Sequence, residues 1–216
     1  RQRQMCIRDR CYLNPSKGDH LNFIAISEEL IKNNISCSKI VHHNKALGVT
    51  IQHDLGDGDL LSILDEDNKN ELLKSSLKML SAIQNSSINN INKFTKEELL
   101  GQMNLFKDAF CRNFLNVNVN SSIDNLITTT LNYLFEHPWV NCHFDFERRN
   151  LILDNNNELT VIDFQDMRIG PIGIDLAGIL VDHYHEVDLR ATKDLLKFYS
   201  KQVKLDCSEN DFFEFL

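Results

Sequence analysis

His143-Phe144-Asp145-Phe146-Glu147-Arg148-Arg149-Asn150, read on to Asp163-Phe164-Gln165-Asp166, is the stretch that decides how this chain folds. Its first part has the spacing H-x-D-x-x-x-x-N. Directly after it come Leu151-Ile152-Leu153, then Asp154-Asn155-Asn156-Asn157-Glu158, then Leu159-Thr160-Val161-Ile162-Asp163. Two short apolar runs around a cluster of turn formers read as a β-hairpin. With Asn156-Asn157 as the two central turn residues, tolerant of positive φ, the register sets Asn150 directly opposite Asp163. Their Cβ atoms are then ~4.5–5.5 Å apart. An amide oxygen and a carboxylate at that spacing suit one hard divalent cation. A plain surface hairpin with solvated polar ends has the same pattern, so the weight lies in the residues upstream.

Those residues match what phosphoryl transfer requires, which is mostly positioning and charge neutralisation. Asp145 is placed to orient or deprotonate an acceptor hydroxyl. Asn150 and Asp163 are placed to hold Mg²⁺ against the phosphates of ATP. His143 is expected to brace the loop through hydrogen bonds and not to act as a base. Arg149 and Arg148 suit either phosphate charge or pairing with nearby acids. Asp175 either caps a helix beginning near Leu176 or binds the catalytic loop. Asp166 suits contact with substrate or support of the metal site. His183-Tyr184-His185-Glu186 looks metal-like, but His at i and i+2 do not share a helix face, so it reads as a helix end.

Outside this stretch the pattern is that of a globular α+β chain. The 216 residues are 42% hydrophobic and 25% charged with a formal charge of −8. That excludes a disordered chain and leaves no basic surface for nucleic acid. No apolar run approaches the ~20 residues that a membrane-spanning helix needs. The six cysteines contain no C-x-x-C pair, so a thiolate zinc site is disfavoured and reduced, mostly buried thiols in a cytoplasmic monomer are expected. Leu21 to Asn33 reads as a helix, with Phe23, Ile24, Ile26, Leu30 and Ile31 on its apolar face. Lys39–His42 and Leu47–His53 read as strands. Leu72, Leu73, Ser76, Leu77, Leu80 and Ile83 form a helical stripe. Thr95-Lys96-Glu97-Glu98 is a capping box for a helix running to about Phe114, and Ile123 to Glu136 is a further helix stopped by Pro138. Residues 1–10 hold four of the nine arginines and are expected to be foreign to the fold. Residues 11–57 then form a small strand-bearing part and residues 58–216 a mainly helical part.

From Cys142 to Tyr184 the chain resembles the aminoglycoside phosphotransferase-like kinases, a branch of the protein-kinase-like fold. Val161-Ile162-Asp163-Phe164-Gln165-Asp166, Gly170-Pro171, Asp175-Leu176 and Asp182 are most similar to the cell-wall amino-sugar kinases among them. Ile51-Gln52-His53-Asp54-Leu55-Gly56-Asp57 resembles their hinge, and Leu99 to Phe114 their acidic-aromatic helix, with Gln102 where Glu is common. The likeness runs from about residue 13 to about 205. It implies ATP and Mg²⁺ as cofactors. It implies adenine contact through the main chain of Gln52, His53, Asp54 and Leu55, and substrate contact by Asp166 and Asp182. It also implies transfer to the anomeric hydroxyl of N-acetylmuramate or N-acetylglucosamine.

Three departures stand out. Phe144 replaces a small or basic residue, Glu147 sits where His is frequent, and His53 replaces the hinge acid. No G-x-G-x-x-G hairpin and no V-A-I-K-like strand Lys occurs in the sequence. The first part is therefore expected to be an N-lobe remnant, and the 216-residue chain to bind ATP weakly. Other acceptors in the same fold (aminoglycoside, choline, homoserine) and a pseudokinase-like binding module are the rival readings. Intact His143, Asp145, Asn150 and Asp163 argue against the second rival.

Overall fold

A computed structural model describes residues 8–216 apart from 19, 90, 155, 182, 183 and 185. The first part is a three-stranded antiparallel sheet of β1 (Arg8–Tyr12), β2 (Ile40–Asn44) and β3 (Val49–His53). Strand β3 is central, with Arg10 opposite Ile51 on one side and His43 opposite Thr50 on the other. The expectation that residues 1–10 lie apart from the fold is corrected for Arg8, Asp9 and Arg10, which pair on β3. Residues 1–7 lie outside the described residues. Helix α1 (Leu21–Lys32) sits in the connection before β2 and buries Ile26, Ser27 and Leu30, with the spacing of one helical face. Ile31, assigned to that face from its spacing, is 44% exposed.

The second part begins at the short helix α2 (Leu60–Ile63), whose first turn is capped by the Asp59 side chain. Helix α3 (Lys69–Asn85) is its centre. It buries Leu73, Leu77, Leu80 and Ile83, the stripe legible in its sequence, with Ser76 and Ser81 hydrogen-bonded back to its own carbonyls. Around it lie α6 (Gly173–Leu180), α7 (Leu189–Tyr199) and α8 (Glu209–Glu214). Their Leu176, Ile179, Leu196, Tyr199 and Phe212 join the α3 residues, Leu30 and Val161 in one core. That shared core couples the sheet-bearing part to the helical part.

The Thr95 capping box forms in full: Thr95 accepts from the Glu98 N–H, and Glu98 accepts from the Thr95 N–H. It starts α4 (Lys96–Leu105). The regular helix expected to reach Phe114 changes character there, and Phe106–Phe114 is π-helical. Its closing bond runs from the Leu115 N–H to the Phe110 carbonyl at 2.9 Å, five residues back. The wider turn brings residues four apart nearly into line. Phe106, Phe110 and Phe114 therefore stack, with ring centroids 5.5 and 5.9 Å apart. Helix α5 (Ser121–Glu136) follows from an Asn120 cap and packs on α4.

Two strand pairs carry the remaining polypeptide. Strands β4 (Trp139–Cys142) and β7 (Arg168–Pro171) are antiparallel, with Cys142 opposite Arg168. The Asn141 amide donates to the Ile83 and Ser86 carbonyls, which anchors β4 to the C-terminal end of α3. Strands β5 (Leu151–Leu153) and β6 (Leu159–Val161) form the expected hairpin, but its register is one residue off. Leu151 faces Val161, so Asn150 stands opposite Ile162, whose N–H reaches the Asn150 carbonyl at 2.9 Å. The reason is the turn. The Asp154 side chain accepts from the Asn156 and Glu158 N–H groups, and Asn157, at φ 59°, closes a longer loop in which Asp154 and Glu158 pair. The core around α3 sets a stability expectation. Leu77→Ala, at a fully buried position, should lower the unfolding free energy by about 2–5 kcal/mol in urea titration. Leu126→Ala, 60% exposed on α5, should change it by less than about 0.5 kcal/mol.

Candidate active site

Strand β4 delivers the chain to His143, and from there the loop is held by side-chain to backbone bonds. The carboxylate of Asp175 accepts the His143 N–H at 2.6 Å and the Phe144 N–H at 2.9 Å. Asp175 lies in the first turn of α6, three residues in, and is fully buried. Of its two sequence readings, helix cap or loop holder, the geometry matches the loop holder. Two effects oppose each other at this group. Burial pushes its carboxyl up to about 7, while the two N–H donors pull it down; the neighbouring charge of Asp145 adds to the rise.

His143 is completely buried. Its Nδ1 accepts the Asp145 N–H at 3.3 Å, which assigns the ring proton to Nε2, and Nε2 donates to the Ile162 carbonyl at 3.0 Å. Burial lowers its pKa, so the ring is neutral and serves as a two-ended clamp between the loop and the end of β6. The turn at 148–150 then brings Asn150 back under Asp145. The Asn150 amide nitrogen donates to the Asp145 backbone oxygen and to its Oδ2, both at 2.8 Å.

That commitment leaves Oδ1 as the polar atom Asn150 can offer to a cation. The second offer is Asp163, which leaves the hairpin in a left-handed conformation at φ 64° and ψ 33°, one that Asp tolerates. The turn takes Asp163 out of the strand conformation, and its side chain lines the same cleft as Asp145. Phe164 directly after it is fully buried and stacks on Phe23 of α1 at 4.8 Å. The Asn22 amide grips the Gln165 carbonyl at 3.0 Å. Two oxygen ligands are a small set, and among the described residues no group of three or more His, Cys, Asp or Glu converges for a metal. Such a set fits Mg²⁺, which keeps waters and phosphate oxygens as its other ligands.

Asp145, Asp163 and Asp166 line one cleft of about 300 Å³, together with Gln165, Phe94, Gln102, Phe144 and Arg168. Phe144 sits at φ 69°, a left-handed position that costs a bulky residue on the order of 1–3 kcal/mol. Asp175 holds its N–H, and its ring stacks on Phe94 at 4.0 Å. Gly170 makes room for it, since a Cβ there would lie 2.7 Å from the Phe144 ring. The Arg168 guanidinium in turn lies over Phe94 at 4.8 Å and donates Nη1 to Glu98 at 2.8 Å.

The cleft thus gathers Asp145, Asp163 and Asp166, with Asn150 and His143 directly behind Asp145. It does not gather Arg149, which bonds Glu147 at 2.6 Å and lies over the Tyr184 ring at 5.4 Å. Of the two readings of Arg149, phosphate charge or pairing with a nearby acid, the structure contains the ion pair with Glu147. Gln52 and His53 end β3, and Asp54 and Leu55 follow them, with Asp54 accepting from the Gly56 N–H at 2.9 Å. Those hinge residues do not line the cleft. Asp182 lies outside the described residues. Phe94 and Arg168 escaped the sequence reading; the alternation that puts Arg168 on the same face of β7 as Gly170 was the available signal.

With this geometry in place, comparison with known proteins is informative. The chain belongs to the phosphotransferase enzyme family (APH), whose family model matches residues 14–207. It is 27% identical over 179 residues to an N-acetylmuramate/N-acetylglucosamine kinase of Neisseria meningitidis serogroup B, covering 79% of this chain and 53% of that protein. The chain thus spans about half the length of that curated relative. Choline kinase LicA from Streptococcus pneumoniae superposes with a TM-score of 0.70 at 14% identity, over 96% of this chain and 72% of the other. The streptomycin–ATP–APH(2")-IIa ternary complex superposes with a TM-score of 0.57 at 19% identity, over 89% and 71%. The architecture is the α+β, protein-kinase-like fold of these enzymes.

Asp175 generates a pH expectation. Between the ordinary carboxyl value of 3.8 and about 7, the folded protein keeps a proton there that the unfolded chain has lost. Its contribution to stability is therefore largest at low pH and is lost as pH rises through about 7. Asp175→Asn should flatten this fall in stability between pH 5 and pH 8, read from urea midpoints of both proteins.

Proposed function

We propose that this protein transfers the γ-phosphoryl group of ATP to a hydroxyl of a small molecule, and that the acceptor is an amino sugar. The observation that supports the chemistry is the 2.8 Å bond from the Asn150 amide to Asp145 Oδ2, with Asp163 in the same cleft. It ties the Asn150 side chain to the carboxylate that, in this reading, faces the acceptor, and leaves the Asn150 Oδ1 available to a cation. Asn150 and Asp163 would hold Mg²⁺, which when bound neutralises charge on the phosphates. Asp145 orients the acceptor hydroxyl and takes its proton as the new O–P bond forms. Most of the acceleration comes from alignment and charge stabilisation, with no covalent intermediate on the protein.

An anomeric hydroxyl is more acidic than an ordinary alcohol, so a carboxylate of modest basicity suffices as its partner. The amino-sugar assignment rests on the sequence likeness to the Neisseria kinase, named for N-acetylmuramate and N-acetylglucosamine. The fold neighbours, named for choline and aminoglycoside chemistry, supply the competing acceptors. Adenine contact through the main chain of 52–55, support from Asp166 for substrate or metal, and a cytoplasmic monomer complete the proposal.

The test is phosphate transfer from ATP by the complete protein to a panel of N-acetylmuramate, N-acetylglucosamine, choline and an aminoglycoside. Transfer to the amino sugars is expected. Transfer only to choline or the aminoglycoside would reassign the acceptor. Asp145→Asn should cut kcat by about 10²–10⁴-fold while nucleotide affinity, measured by titration calorimetry, stays within about twofold of the unaltered protein. An unaltered rate would remove Asp145 from its role.

A further inference from the structure

We infer that Arg168 reads a carboxylate on the acceptor and so sets this cleft's preference for an acidic amino sugar over its neutral counterpart. The inference rests on the amino-sugar reading above. Among the described residues lining the cleft, Arg168 is the one cation, set against Asp145, Asp163 and Asp166. An anionic arm entering such a cleft would be repelled by those carboxylates unless a cation met it. Of the two amino sugars named for the Neisseria relative, N-acetylmuramate carries a carboxylate on an ether arm, several bonds from its anomeric hydroxyl. N-acetylglucosamine has none.

The side chain is held by α4 and the Phe94 ring and not by the β5–β6 hairpin. Its fixed contacts are Glu98 of α4 and the Phe94 ring, whereas Asn150 and Asp163 flank the β5–β6 hairpin. Arg168 is the first residue of β7, opposite Cys142, the residue directly before the catalytic loop. The strand fixes its root, and the stack of Arg168 on Phe94 and Phe94 on Phe144 fixes its tip.

Glu98 does not consume the guanidinium. Its Oε2 is spent on the Thr95 N–H in the capping box, and among the described residues its Oε1 takes Nη1 alone of the Arg168 donors. The guanidinium keeps further N–H donors in a fixed plane, the arrangement that grips a carboxylate through two bonds. Arg168 remains one-third exposed in the cleft. The capping box thus both starts α4 and aims the arginine.

The experiment measures binding of N-acetylmuramate and N-acetylglucosamine to the complete protein by titration calorimetry, for the unaltered protein, Arg168→Gln and Arg168→Lys. The unaltered protein should favour N-acetylmuramate by about 10- to 100-fold. Arg168→Gln should bring the ratio of the two affinities close to one, and Arg168→Lys should restore part of it. A ratio within one preparation is insensitive to a partly unfolded fraction. Equal binding of the two sugars by the unaltered protein overturns the inference. So does an Arg168→Gln variant in which both affinities fall together, or in which MgATP affinity falls instead. Binding of choline or streptomycin and of neither sugar overturns the amino-sugar reading itself. Binding of N-acetylglucosamine by the unaltered protein tells the two failures apart.

Discussion

A single buried carboxylate, that of Asp175, organises everything that the catalytic loop does. The loop leaves β4 at Cys142 and must turn at once, which frees two consecutive backbone N–H groups, the first in a buried place and the second in a partly buried one. Orphaned donors there would cost on the order of 1–3 kcal/mol each. Asp175 takes both, at 2.6 and 2.9 Å. The same contact holds Phe144 in its left-handed conformation, and that turn sends Asp145 toward the cleft instead of along the strand. The carboxylate comes from the first turn of α6, where the helix dipole favours negative charge. The helix is itself packed in the core through Leu176 and Ile179. Loop geometry is thereby tied to the buried core.

The hairpin side is held by a different set of bonds meeting at the same loop. The β5–β6 hairpin is short, and a two-stranded unit is marginal alone. Here its edges are covered. The Val161 N–H reaches the Ser36 carbonyl at 3.0 Å, and the Leu153 N–H reaches the Gly58 carbonyl at 2.9 Å. Segments before β2 and after β3 thus flank the hairpin, and Phe164 locks its exit onto α1. His143 then bridges the two systems, touching the Asp145 N–H on one side and the Ile162 carbonyl on the other. A neutral imidazole is needed for that pair of bonds, and burial keeps it neutral. The residue most readily mistaken for a base is a strut.

What was legible in the sequence follows from which interactions are local. The H-x-D-x-x-x-x-N spacing, the Thr95 capping box and the α3 stripe are local patterns, and all three form as read. The hairpin was legible as a hairpin, but its register was not. Choosing Asn156-Asn157 as a two-residue turn overlooked Asp154, whose side chain binds two N–H groups and stabilises a longer loop. One residue of slip reverses strand facing, yet Asn150 and Asp163 both lie beyond the residues paired in the strands. The π-helical stretch after Leu105 was illegible, because stacking of Phe106, Phe110 and Phe114 competes with regular helical bonding on equal terms. The pairing of Arg8–Arg10 on β3 was illegible for another reason: composition reports on origin, while strand pairing depends on a partner more than forty residues away.

Phe144 was read as a departure from pattern, and the structure gives it a structural purpose. An aromatic ring at a left-handed position is costly, so it persists only where neighbours repay the strain. Here the repayment is a continuous stack, with Gly170 cleared beneath the ring, Phe94 against its face and the Arg168 guanidinium over Phe94. The stack is also the wall of the cleft beside Asp145. Glycine at 144 would relieve the strain and remove the surface that positions Phe94, and through it the arginine. Phe144, one of the three departures from the family pattern, is therefore part of one mechanical unit running from the loop after β4 to the helix that opens at Thr95. Loop strain at Phe144 and the position of the Arg168 guanidinium thus depend on the same contacts, so a change in one is felt in the other.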